Sequence, residues 1–230
     1  AFTLPSALLL IGFAALLPYL SNPVGSAAIH GLKIVAFAVV ADAVLGMSKK
    51  LTPDTQRKSI AVISTCFIFS IDSSWAQIIV LGCAALAGLW LSPKNPPATT
   101  LNIPVHYSAK TATVLATVFV LLLTLFSFHL ELNPLFKLTE AFYNAGAWVF
   151  GGGHVVLPLL EDSLVASELV SKENFLAGYG ASQAIPGPMF AFAAYLGALI
   201  PTQYPSWVGA ISALLFMFIP GFLLISAALP

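Results

Sequence analysis

Three glycines and a histidine, Gly151-Gly152-Gly153-His154, form the stretch of this 230-residue sequence whose residue types and spacing most invite chemistry. Successive glycines leave backbone N–H groups uncovered and let another group approach closely. A helix opening near His154 would point its positive dipole end at the same spot, so the stretch reads as an anion site. On such a helix His154, Pro158 and Glu161 recur at i, i+4 and i+7 and share one face. The plainer reading is that the glycines only permit close helix packing, with Glu161 and Asp162 in a solvated turn.

A second interruption, Ser182-Gln183-Ala184-Ile185-Pro186-Gly187-Pro188, follows Gly178-Tyr179-Gly180, read as a glycine-rich turn, and precedes an apolar helix over 189–200. Pro188 suits the first turn of that helix because its missing N–H costs nothing there, and the next amides are left free to face a ligand. Ser182 and Gln183 add side-chain hydrogen-bonding groups. Two broken helices facing one another would build a midplane pocket, since non-helical backbone at membrane depth is tolerated only inside protein or beside a water-filled cavity. The alternative is an ordinary surface loop. Phe190, Phe192 and Tyr195 recur at helical spacing and read as packing residues, Tyr195 alone having a polar handle that could reach a pocket. Lys33 and Asp42 are ionisable residues within an apolar run, with His30 one turn before Lys33. Such groups are functional candidates by default, yet nine residues of separation set Lys33 and Asp42 on opposite faces, and snorkelling or simple pairing is the plainer reading.

The elements that must position these residues are hydrophobic helices. The chain is 59% hydrophobic and 8% charged, against about 25% charged residues in a soluble domain, and its mean hydropathy is +0.94. At roughly 20 residues per span there is room for about seven embedded segments, expected near 2–19, 27–47, 59–73, 75–92, 111–130, 136–150 and 207–229, with half-length helices between 150 and 205. The fold class is therefore all-α, a polytopic membrane bundle with broken or re-entrant half-helices. Lys49, Lys50, Arg57 and Lys58 fill one turn, and Lys94 and Lys110 flank a loop holding Pro93, Pro96, Pro97 and Pro104. The positive-inside rule makes the side carrying both loops cytoplasmic. Trp75 and Trp90 bracket the fourth segment as an aromatic belt would.

A formal net charge of zero offers nothing to a nucleic acid. Cys66 and Cys83 lack a second Cys or a His at ligand spacing, so no disulfide framework, metal or cofactor is expected and both read as packing residues. The opening Phe2-Thr3-Leu4-Pro5-Ser6-Ala7-Leu8-Leu9 matches the closing Met217-Phe218-Ile219-Pro220-Gly221-Phe222-Leu223-Leu224 in pattern, which suggests one period of a duplicated transporter with both ends cut.

At these same residues the sequence resembles the chromate transporter family, whose halves carry FGGGHVVLPLL, a short polar stretch, and FLxGYGxxQAxPGPxFxFAAYLGA. The matching residues are Phe150 through Leu160 and Phe175 through Ala198, with Gly31-Leu32-Lys33 and Pro53-Asp54 similar to the end of a preceding half and its connecting loop. The resemblance implies a multi-pass anion transporter of the bacterial inner membrane, typically expelling chromate, built from two homologous halves of opposite topology. It implies functional roles for His154, Glu161, Gln183 and Pro186-Gly187-Pro188. Residues 1–105 would be the tail of the first repeat with its connecting loop, and 106–230 the second repeat. Residue 191 is Ala where a hydroxyl-bearing Thr is expected in many members, which leaves substrate identity open. With one copy of the double motif the pocket is incomplete, so function would need the missing repeat in the same chain or a dimer partner, and the segment alone would not transport.

The expectation is a secondary transporter, exporting chromate or a sulfate-like tetrahedral oxyanion and coupled to an ion, with membrane lipid as its other partner. A passive channel or a non-transporting scaffold is the rival reading, because pores also use broken helices. An intramembrane enzyme is remote: Ser182 has no nearby His, and Glu161 and Asp162, being adjacent, lie on different helix faces.

Overall fold

In a hydrocarbon environment each peptide group must find its hydrogen bond within the chain, and helices do so segment by segment. The computed structural model describes residues 2–20, 22–71, 75–91, 107–128, 133–149 and 156–229, and among these all regular structure is helical. In chain order the helices are α1 (Thr3–Leu16, continued by a 3-10 turn, Leu17–Leu20), α2 (Pro23–Leu51), α3 (Thr55–Ser70), α4 (Trp75–Leu91) and α5 (Ala109–Ser127). They are followed by α6 (Pro134–Ala147), α7 (Val156–Leu160, continued by a π turn, Glu161–Val165), α8 (Lys172–Ala184), α9 (Phe192–Leu199, preceded by a 3-10 turn, Met189–Ala191) and α10 (Ser206–Ala228).

Several starts are written in the sequence. Asp54 caps α3 by accepting from the Arg57 amide at 2.8 Å, and Asn133 caps α6 by accepting from the Phe136 amide at 2.7 Å with Pro134 in the first turn. Four of the described helices are long and apolar enough to cross a membrane: Thr3–Leu20, Pro23–Leu51, Ala109–Ser127 and Ser206–Ala228. The chain is thus an all-α membrane helix bundle. Of the seven spans expected, α3, α4 and α6 are shorter; at 16 residues α3 rises only about 24 Å, less than the ~30 Å hydrocarbon layer.

The chain divides into two units, one formed by Ala1–Val40 with Pro104–Pro230 and the other by Ala41–Ile103. In the larger unit α10 lies along α6, α9 and α5, while α1 packs on α9 and α8. Its centre holds Leu138 and Phe142 of α6, Phe175 of α8, and Phe192, Tyr195 and Leu196 of α9, all essentially inaccessible. Water expulsion cannot drive helices together inside lipid, so association rests on close van der Waals contact between small residues. Gly197 of α9 and Gly209 of α10 face each other with no room for a methyl on either, and Gly146 of α6 meets the backbone of Met217 in α10. Phe126 of α5 anchors a second cluster, with ring centroids 5.3 Å from Phe136, 5.0 Å from Tyr143 and 5.7 Å from Phe216.

In the smaller unit α3 packs on α4, and its apolar side chains face outward: Ile63, Phe69 and Leu86 are all exposed. Cys66 and Cys83 are exposed too. The expectation that both are packing residues is corrected: they belong to the apolar surface of this hairpin.

Candidate functional site

The expected interruption is present, and its geometry follows from Pro186 and Pro188. Helix α8 ends at Ala184; Ile185 is extended (φ −92°, ψ 126°) as a residue before proline prefers, and its amide makes the last return bond, to Ala181 O at 3.1 Å. Pro188 is not in the first helical turn as expected but one position outside it, extended at φ −69° and ψ 136°, with its carbonyl accepting from the Ala191 amide at 2.9 Å. The first amides of the next turn, at Met189 and Phe190, therefore lack an intrahelical carbonyl by position.

Gly187 sits against the Ser6 side chain of α1 so closely that any added side chain would overlap it. Pro186 is exposed and Gln183 half-buried. Ser182 is buried at 8% exposure, and its hydroxyl donates to Tyr179 O at 2.7 Å, a bond within its own helix.

Gly178-Tyr179-Gly180 is not a turn: it lies inside α8. The glycines serve approach rather than chain reversal. The ring of Tyr195 fills the space where a Gly178 side chain would be, and the Leu32 backbone of α2 fills that at Gly180. Tyr179 is buried, and its hydroxyl has no hydrogen-bond partner among the described residues.

Tyr195 packs as well, and its polar handle is used within the fold. It is wholly buried, stacks on Phe13 at 5.7 Å and donates its hydroxyl to Asn174 O at 2.8 Å, pinning the first turn of α8 to α9. Phe190 and Phe192 pack as expected, against Phe218 at 5.5 Å and Phe175 at 5.3 Å.

Gly151, Gly152, Gly153 and His154 lie outside the described residues, and the helix that follows is first described at Val156. Pro158 is in α7, but Glu161 opens the π turn, where the ladder widens to i→i+5 and the shared face expected for the series ends. Glu161 pairs with Lys172 at 3.3 Å, the two side chains being 35% and 64% exposed. The chain leaves this element through Glu168, left-handed at φ 58°, and the Val170 amide reaches back to Leu164 O at 3.0 Å.

Lys33 turns out to line a cavity of about 530 Å³ at one end of the larger unit. Ser26, His30 and Lys33 come from one stripe of α2, Glu173 and Asn174 from the first turn of α8, and Leu199 from the end of α9. Among the described residues Lys33 has no carboxylate within 4 Å. Asp42 belongs to the smaller unit, where it is exposed. Sequence reasoning missed Glu173 and Asn174, which lie far from His30 along the chain and carry no local signal. It also missed Glu140, a carboxylate 8% exposed on α6, which its place in an apolar segment should have flagged.

The chain matches the chromate transporter family over residues 1–89 and 136–230, which is most of its length. The chain belongs to that family. It is 22% identical over 241 residues to an uncharacterized transporter of Methanocaldococcus jannaschii, an alignment covering 100% of this chain and 56% of the relative. The chain therefore spans a little over half the length of that transporter. No solved structure matches it. Both family motifs, one reaching into α7 and the other running from α8 into α9, fall where the helices are shortest.

Proposed function

We propose that this chain is part of a secondary transporter that exports chromate or a similar tetrahedral oxyanion such as sulfate, coupled to an ion, in a bacterial inner membrane. The single observation that carries the reading is the break between α8 and α9, where the chain leaves the helix around Pro186 and Pro188 in a bundle of a family named for chromate transport. Backbone amides near Gly187, Met189 and Phe190, together with Gln183 and Ser182, would coordinate the anion, and the amides of Gly151, Gly152 and Gly153 would complete the shell from the other motif. Donors fixed in this way replace the water an oxyanion leaves behind, without placing a full charge at membrane depth. His154 and Glu161 would shape the local charge or pass protons. The second repeat, from the same chain or a dimer partner, would close the pocket.

The test is reconstitution of the full-length protein in vesicles with labelled chromate and sulfate. Saturable flux that responds to an opposing proton gradient is expected, a response a passive channel would not give. Normal uptake after His154→Ala and Gln183→Ala together would sink the assignment of these residues.

A further inference from the structure

After Glu173 the sequence contains no acidic, basic or histidine side chain through to Pro230. The α8–α9 break can therefore offer an oxyanion dipoles but no charge of its own, and attraction must come from another place. Within the larger unit one cavity gathers basic groups that have no ion pair among the described residues: the roughly 530 Å³ space at the start of α8, where His30 and Lys33 stand three residues apart on one stripe of α2. It is an open depression, with His30 and Glu173 exposed, so an oxyanion could enter it partly hydrated.

We propose that this cavity is a second oxyanion station, distinct from the α8–α9 break. Lys33 supplies the fixed positive charge, His30 a second when protonated, and the Asn174 side chain a neutral donor. Among the described residues lining the cavity Glu173 is the one acidic group; the 3-10 turn after α1 and the end of α9 contribute Leu17, Pro18, Leu20 and Leu199, none of which titrates. Placed there, Glu173 opposes the anion and keeps the hold weak, as a station on a path must be if the ion is to leave. Tyr195 acts as a positioning residue, because its bond to Asn174 O fixes the turn that carries both Glu173 and Asn174.

The station rests on the oxyanion reading above, and two measurements separate their failures. In vesicles holding the full-length protein, Lys33→Ala should raise KM for chromate or sulfate about tenfold, the loss of one charge-assisted contact, with the maximal rate little changed. Lys33→Arg should restore most of the affinity, and Glu173→Gln should lower KM. Opposite signs at Lys33 and Glu173 are what charge requires and what a packing role would not produce. An unchanged KM in Lys33→Ala, equal defects in the Ala and Arg variants, or a raised KM in Glu173→Gln would each overturn the station. If the unaltered protein moves neither anion, the transport reading fails, and calorimetric titration of the detergent-purified protein with sulfate decides the station alone: binding weakened by Lys33→Ala and strengthened by Glu173→Gln supports it, and any other result overturns it.

Discussion

The two ends of α8 are opposites. At its start Ser171 caps the helix, Lys172 pairs with Glu161, and Glu173 and Asn174 open onto the cavity that Lys33 and His30 share. At its finish there is no charge, only Gly187 set against Ser6 of α1, and, further back along the helix, glycines that leave no room at Tyr195 and Leu32. One end is charged; the other is uncharged and defined by steric fit. The contrast implies a division of labour: the start of α8 can attract an anion, while its finish can position backbone to receive one. Substitutions should obey that division, with packing changes altering stability and charge changes altering affinity.

The largest effects are expected at the packed end. Gly178→Val would drive a branched side chain into the Tyr195 ring, which is fully buried and tied at its hydroxyl. Overpacking of this kind costs about 1–3 kcal/mol, sometimes more, so thermal unfolding in detergent should fall by several degrees or the protein should fail to accumulate. Gly187→Ala should be milder and curable, because the obstacle is the Ser6 side chain. Combining it with Ser6→Gly should recover most of the lost melting temperature; no recovery would show that the Pro186–Pro188 backbone, rather than its fit to α1, is the constraint.

Next in size is Tyr195→Phe, which deletes the bond to Asn174 O while keeping the ring. A loss near 1 kcal/mol is expected, and because that bond steadies the charged end, KM should rise while the packed end stays intact. A loss of stability with unchanged KM would break the link between the two ends.

The helices themselves were legible in the sequence because apolar runs of about 20 residues leave lipid as the only solvent, and α1, α2, α5 and α10 lie where those runs are. The α8–α9 break was legible for an equally local reason, two prolines around one glycine. What was not legible depended on partners distant in the chain. Gly178 and Gly180 look like a turn in one dimension, and only the arrival of Tyr195 and Leu32 shows why a helix should carry glycine there. Nothing near Lys33 announces Glu173, since the fold alone brings α2 and α8 to one cavity. The π turn at Glu161 has no composition signal either, and Gly151 to His154, the most eye-catching motif, lie outside the described residues.

Glu168→Gly tests a feature that belongs to neither end. Glu168 is exposed and left-handed at φ 58°, a conformation that costs a side-chain-bearing residue about 1 kcal/mol and costs glycine little. The substitution should be neutral or stabilise by up to about 1 kcal/mol, with KM unchanged, because the turn only reverses the chain between α7 and α8. Destabilisation would mean that the Glu168 side chain has a structural task.

The smallest effect, and the finest test of the division, is Lys172→Ala. Its pair with Glu161 spans 3.3 Å but is well exposed, so water and salt screen it and side-chain ordering offsets much of the attraction. A stability change of at most about 0.5 kcal/mol is expected, vanishing at high salt. If unfolding instead falls by more than about 1 kcal/mol at all salt concentrations, well beyond what an exposed pair contributes, the pair is holding the π turn against α8. The start of α8 would then be a structural joint as well as a charged mouth, and the separation of attraction from fit would fail at a contact lying between the two motifs.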